Sequence, residues 1–323
     1  MTWPITYEDV VSASRRLDPF LTPTPLRSYS TLDAALGCHV LVKHENHQPT
    51  NAFKIRNGLA ALTALEPEEK KHGVVAATRG NHGLGLAYAG HMLQIPVTIC
   101  VPEGNNPEKN EAIRGLGARL VEEGSDYDEA VLVMKRLVAS QGLRMIHSTN
   151  EPLVIAGAGT LTQEILTQAK RLGESIDAMV VAVGGGSQSV GAMTVIQELA
   201  PQIPVYGVQA AGAPAIYESW KRRKPIVLEK ADTFADGVAT RMTYELTFQA
   251  LLDGLADFVI VSEEEIAEAV RMMIQTTHNL AEGAGAMGLA GLIRLGQRLA
   301  GKTVAIVLSG SNIDRETLAQ IYR

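Results

Sequence analysis

Short runs of β-branched and apolar residues recur along this chain, at residues 40–43, 74–77, 97–101, 145–147, 179–183, 205–208, 258–261 and 304–308. Between them lie segments whose apolar positions repeat at helical spacing, clearest at residues 128–140, 161–172 and 263–277, so the pattern predicts strands alternating with helices. That alternation implies an α/β fold with two open, mostly parallel twisted sheets flanked by helices. No Pro-, Gly- or Ser-rich linker and no repeat divides the chain, so a second domain is expected as an insertion. Residues 73–149 are read as a small inserted α/β domain, and residues 1–72 with 150–323 as the large one.

Length agrees with this division, because single cores stop growing near the 323 residues present. Composition narrows the classes of function. With 46% hydrophobic and 20% charged residues the chain reads as folded, and its net charge of −6 without a basic stripe argues against nucleic acid as a partner. Only two cysteines, Cys38 and Cys100, are present, which suits a reducing compartment. Glu8 and Asp9 stand near the start, where a leader would carry basic residues and then an apolar run. No apolar stretch is long enough to span a bilayer, so the expectation is a cytoplasmic protein with no membrane partner.

Four polar loops carry the candidate chemistry. Thr78, Arg79, Gly80, Asn81 and His82 follow the run at 74–77; Gly184, Gly185, Gly186 and Ser187 follow 179–183; and Ser309, Gly310, Ser311 and Asn312 follow 304–308. In parallel sheets ligands bind beyond the carboxyl ends of strands. The glycine loop opens a helix predicted at 190–199, so its free N–H groups would favour a phosphate; a tight turn without a ligand is the competing reading. Ser189 stands where a dinucleotide fingerprint would need a third glycine.

The fourth loop holds Lys54, just ahead of a helix predicted at 57–65. Phe53 and Ile55 on either side suggest partial burial, and a desolvated lysine has a lowered pKa and can act as a nucleophile and base. Asn81 reads locally as a helix N-cap. Glu282, within a run of small residues, is either a first-turn dipole partner or a site carboxylate. His44, His47 and His147 lack metal-ligand spacing with the cysteines and are taken as structural.

Residues 48–58, 80–83, 184–187 and 309–312 resemble, in order and spacing, the motifs of the fold type II pyridoxal phosphate enzymes. The serine/threonine dehydratase and serine racemase branch is the most similar. This resemblance implies that Lys54 forms the Schiff base and takes the substrate's Cα proton, and that Asn81 contacts the cofactor's 3′-oxygen. It likewise implies that Gly184, Gly185, Gly186 and Ser187 hold the phosphate, that Ser309 faces the pyridine nitrogen, and that Phe53, Gly237 and Val238 flank the ring. Thr78, Gly80, Asn81 and His82 would bind the substrate carboxylate.

The implied activity is β-elimination from a β-hydroxy amino acid, foremost L-threonine or L-serine, giving a 2-keto acid and ammonia in a homodimer. A dehydratase for 3-hydroxyaspartate or a phenylserine-like substrate stays open because Arg79 could bind a second carboxylate bidentately. A nucleotide-dependent dehydrogenase and a catalytically dead relative are further alternatives.

Several positions depart from the branch. Arg79 stands where racemases place a serine, and a guanidinium is a poor proton shuttle, so little racemisation is expected. Asn51 and Ala52 replace the usual glycine and serine. The racemases' divalent-cation carboxylates would fall at Gln209 and Ala215, so no metal site is expected. Feedback by isoleucine is not expected either, since Arg323 follows soon after the Ser309 motif.

Overall fold

The structure, a computed structural model, describes residues 3–125 and 127–323 and all their side chains except that of Asp128. Met1 and Thr2, in the segment read for a leader, lie outside the described residues, as does Asp126.

Ten strands form two sheets among these residues. They are β1 Leu26–Arg27, β2 His39–His44, β3 Val74–Ala77, β4 Val97–Val101, β5 Arg119–Glu122, β6 Arg144–Met145, β7 Ala178–Ala182, β8 Val205–Ala210, β9 Asp257–Val261 and β10 Thr303–Leu308. The six-stranded sheet runs β1-β2-β10-β7-β8-β9 and the four-stranded one β5-β4-β3-β6. Every pairing is parallel except β1 with β2, where Leu26 faces Lys43.

Helices cover both faces of each sheet, as the continuous apolar strands require. Helices Glu263–Thr277 and Gly283–Leu295 pack on one face of the larger sheet, and Tyr127–Gln141 on one face of the smaller. A shared layer lies between the two, made by helices Lys54–Thr63, Asn81–Leu93, Pro152–Leu172 and Ser187–Leu199. Glycines set the spacing in this layer. A Cβ on Gly58 would strike the carbonyl of Gly85, one on Gly85 the carbonyl of Lys54, and one on Gly157 would lie 2.6 Å from the carbonyl oxygen of Arg56. Backbones at that distance leave no room for a side chain, so the Lys54 helix is clamped between two neighbours.

A buried ionic cluster fixes the same helix from below. Arg56 donates to Glu45 at 2.7 and 2.8 Å and to Glu164 at 2.7 and 2.9 Å, and Lys43 reaches Glu164 at 2.5 Å. Lys43, Glu45 and Arg56 are at most 1% exposed, a burial tolerable only because the charges pair. The Arg56 guanidinium holds the Glu45 carboxyl down at about 2 despite full burial.

No helix among the described residues is long and apolar enough to cross a membrane. No cluster of metal-ligating side chains occurs among them either, and Gln209 Oε1 accepts the N–H of Tyr217.

Candidate active site

Strands β3, β7 and β10 end around a cavity of about 1,040 Å³, and the four polar loops meet in its wall. Lys54 lies on its floor. The helix begins at Lys54 itself rather than at 57, because Phe53 N–H donates to the Ser309 carbonyl at 3.0 Å and Ala52 bridges to Gly310, locking the approach to β10. Lys54 Nζ lies 3.4 Å from Ser187 Oγ and 4.9 Å from the centroid of the Phe53 ring. Burial lowers this amine to about 8, so about a tenth to a fifth of it is neutral near physiological pH, far more than for an ordinary lysine.

Opposite the amine, helix Ser187–Leu199 starts at the glycine loop, three residues earlier than the apolar pattern predicts. Gly186 is its N-cap at φ +103°, a conformation that favours glycine, and no side chain caps the first turn. Thr247 Oγ1 donates to the Gly185 carbonyl at 2.7 Å and holds the loop from outside. A Cβ on Gly184 would lie 2.7 Å from the Gly237 carbonyl oxygen, and one on Gly185 would run into Thr149. The first-turn N–H groups are left without a side-chain cap at the cavity wall, where a phosphate would be favoured, and the glycines let the loop pack against Gly237 and Thr149.

Asn81 is not an N-cap. Gly80 holds that position without a side-chain bond, while Thr78 Oγ1 accepts the Gly80 N–H at 3.1 Å. Asn81 Nδ2 instead donates to Glu282 Oε1 at 2.6 Å, and Asn312 Nδ2 donates to Asn81 Oδ1 at 2.7 Å. One Asn81 amide hydrogen stays available. Burial raises the Glu282 carboxyl above its ordinary range, against the opposing pull of Lys109 and of the Asn81 bond. His82 Nε2 donates to the Ile146 carbonyl at 3.0 Å, so that edge of the ring is committed to a backbone partner. Arg79 is exposed at the rim. Buried Ser309 has its hydroxyl 3.3 Å from the Ala284 carbonyl.

Residues 17–310 match the family described as pyridoxal-phosphate dependent enzyme. The chain belongs to that family. An L-threonine ammonia-lyase of Thermotoga maritima is 37% identical over 98% of this chain and 78% of its own length. An L-threo-3-hydroxyaspartate ammonia-lyase of a Pseudomonas species is 33% identical over 98% of both chains. The crystal structure of a threonine deaminase from T.th. superposes with a TM-score of 0.91 at 36% identity, covering 96% of this chain and 99% of that one.

Pyridoxal phosphate fits the residues present. The uncapped helix start and the glycine cradle suit a phosphate dianion, the partly neutral Lys54 amine suits an aldehyde, and Phe53 with Val238 offers flat apolar contact to a ring. Of the residues singled out beforehand, Phe53, Lys54, Thr78, Arg79, Gly80, Asn81, His82, the glycine loop with Ser187, Gly237, Val238, Glu282 and Ser309 all line this one cavity.

Reading the sequence missed four further residues in the wall of this pyridoxal phosphate enzyme. Lys109 pairs with Asp236 at 2.7 Å across the mouth, and Tyr244 packs edge-on against His147 with ring centroids 5.2 Å apart. His147, taken as structural, lies in the cavity wall. Its place just beyond β6, level with the ends of β3 and β4, is the signal that could have found it.

Proposed function

We propose that this chain is a pyridoxal phosphate-dependent ammonia-lyase that eliminates water from a β-hydroxy amino acid, foremost L-threonine or L-serine, giving a 2-keto acid and ammonia. The observation that carries this reading is the half-buried Lys54 amine, lowered to about 8 and 3.4 Å from Ser187 Oγ at the glycine loop, in the cavity that Ser309 also lines. When bound covalently at Lys54, the cofactor supplies an electron sink that acidifies the substrate's Cα–H.

The remaining work falls to the protein. Backbone N–H groups of the glycine loop and the Ser187 helix hold the phosphate. Ser309 would offer the pyridine nitrogen a neutral hydroxyl rather than a carboxylate, which would keep the sink weak and suit departure of a leaving group over a long-lived carbanion. N–H groups at the start of helix Asn81–Leu93, with the Thr78 hydroxyl, hold the substrate carboxylate. Lys54 Nζ would accept the substrate's Cα proton. Glu282 fixes Asn81, whose spare amide hydrogen would be available to an oxygen of the cofactor. Arg79 is the only ionisable side chain in the Thr78–Asn81 loop and shuttles protons poorly, which disfavours racemisation.

A dicarboxylic substrate such as 3-hydroxyaspartate is the second reading, favoured by the exposed guanidinium of Arg79 at the rim. A cytoplasmic homodimer, with residues 73–149 as an inserted domain, completes the proposal; both cysteines are free and buried. Release of 2-keto acid from a panel of β-hydroxy amino acids tests it. Turnover of L-threonine and L-serine is expected, and no keto acid from any member would defeat the proposal. In Arg79→Ala, a loss confined to 3-hydroxyaspartate supports the second reading, and equal losses on both substrates refute it.

A further inference from the structure

We propose that the Nε2–H of His147 donates a hydrogen bond to the oxygen on the substrate's β-carbon while the Cβ–O bond breaks. The inference rests on the elimination reading above and adds a residue to it.

The loop after β6 fixes the tautomer. His147 Nδ1 accepts the backbone N–H of Thr149 at 3.0 Å and of Asn150 at 2.9 Å. A nitrogen that accepts two donors carries no proton, so the proton of the neutral ring sits on Nε2. Burial, with Lys54 and Lys135 nearby, lowers the imidazole to about 4, so the ring is neutral at working pH. His147 is half-buried, and Nε2 is neither bonded to a partner among the described residues nor sealed from the cavity that His147 lines.

The other walls are already assigned. Lys54 takes the Cα side, the glycine loop the phosphate, and Thr78 to Asn81 the carboxylate. Of the lining not yet assigned, Tyr127, His147 and Tyr244 form an aromatic wall, and the β-substituent is placed against it. There the His147 N–H and the hydroxyls of Tyr127 and Tyr244 are the candidate donors. Only the His147 N–H is held in a fixed orientation by two bonds on its far side.

Atoms balance without a co-reactant. The Cβ–O electron pair leaves with oxygen, the Cα–H electrons form the new double bond, and the proton held on Lys54 Nζ converts the departing hydroxide to water. His147 keeps its own proton and stabilises charge on the oxygen.

The test compares leaving groups in the holoenzyme. Chloride needs no hydrogen-bond donor, so β-chloro-L-alanine isolates the contribution of His147, and both it and L-serine yield pyruvate. His147→Asn keeps an oxygen that can accept the two loop N–H groups, but its amide stops short of the cavity. This variant is expected to lose about 100-fold in kcat on L-serine and less than about 5-fold on β-chloro-L-alanine. Equal losses on both substrates overturn the proposal, as does a selective loss in Tyr244→Phe or Tyr127→Phe instead. Pyruvate from neither substrate with the unaltered enzyme overturns the elimination reading as well. Independently of activity and of any variant's folding, ¹⁵N NMR of histidine-labelled protein at pH 7 should show His147 neutral and protonated at Nε2; a charged or Nδ1-protonated ring overturns the proposal.

Discussion

Arg56 lies two residues beyond Lys54 on the same helix turn, so replacing it tests whether the buried ionic cluster anchors the site. In Arg56→Met the apolar volume is roughly kept while five hydrogen bonds disappear, two to Glu45, two to Glu164 and one to Thr160. Glu164 keeps Lys43 at 2.5 Å. Glu45, at 0% exposure, keeps only neutral donors in contact, the Thr24 hydroxyl at 2.6 Å and the Gln48 amide at 3.2 Å. Stranding one carboxylate in this way costs about 3–5 kcal/mol, a large part of a total stability of about 5–15 kcal/mol. With an m-value of about 3 kcal/mol/M, the urea midpoint should fall by about 1–1.7 M. Adding Glu45→Leu removes the stranded charge and should recover most of the loss, since apolar replacement of a whole buried pair is close to neutral. A single variant that loses less than about 1 kcal/mol, or a double variant no more stable than the single, would refute this reasoning.

Two more predictions concern the same framework and the cradle beside it. Glu45 falls from 4.5 when unfolded to about 2 when folded, so its contribution is full above pH 4.5 and is lost as pH falls toward 2. Urea midpoints measured from pH 6 to pH 2.5 should therefore drop more steeply for the unaltered protein than for the Arg56→Met, Glu45→Leu double variant; parallel curves would contradict the assignment. Gly185→Ala places a methyl 2.8 Å from Thr149 Cβ and Cγ2. Overpacking of about 1–3 kcal/mol implies cofactor affinity lowered by about 5- to 150-fold in an absorbance titration, and unchanged affinity would show that the loop is not the phosphate cradle.

Much of the architecture is legible because burial on both sheet faces forces apolar runs. Strands 74–77 and 97–101 and helix Glu263–Thr277 coincide with their patterns, the last also marked by the capping box of Ser262 and Glu265. Helix Pro152–Leu172 is seen only from Leu161 onward, since Ala156, Gly157, Ala158 and Gly159 pack closely on all sides and carry no amphipathic period. The edge strand β5 escapes because Arg119 and Glu122 make half of it polar. Helix starts at Lys54 and Ser187 are placed three residues late for one reason: each opens with polar residues and no side-chain cap, and the uncapped N–H groups are what a ligand needs.

The candidate site itself was legible through residue types at strand ends. What stayed hidden depends on contacts between distant segments. Arg56 and Glu164 are separated by 108 positions, and nothing local marks them as partners. His147 became a site residue only once β6 was seen to end beside β3.

The account stands on Lys54 as the covalent anchor, and one measurement reads that directly. The protein loaded with pyridoxal phosphate is reduced with borohydride, digested and mapped by mass spectrometry. The account predicts a single phosphopyridoxyl adduct on the peptide that contains Lys54; an adduct on Lys43, Lys109 or another lysine, or none at all, would contradict it.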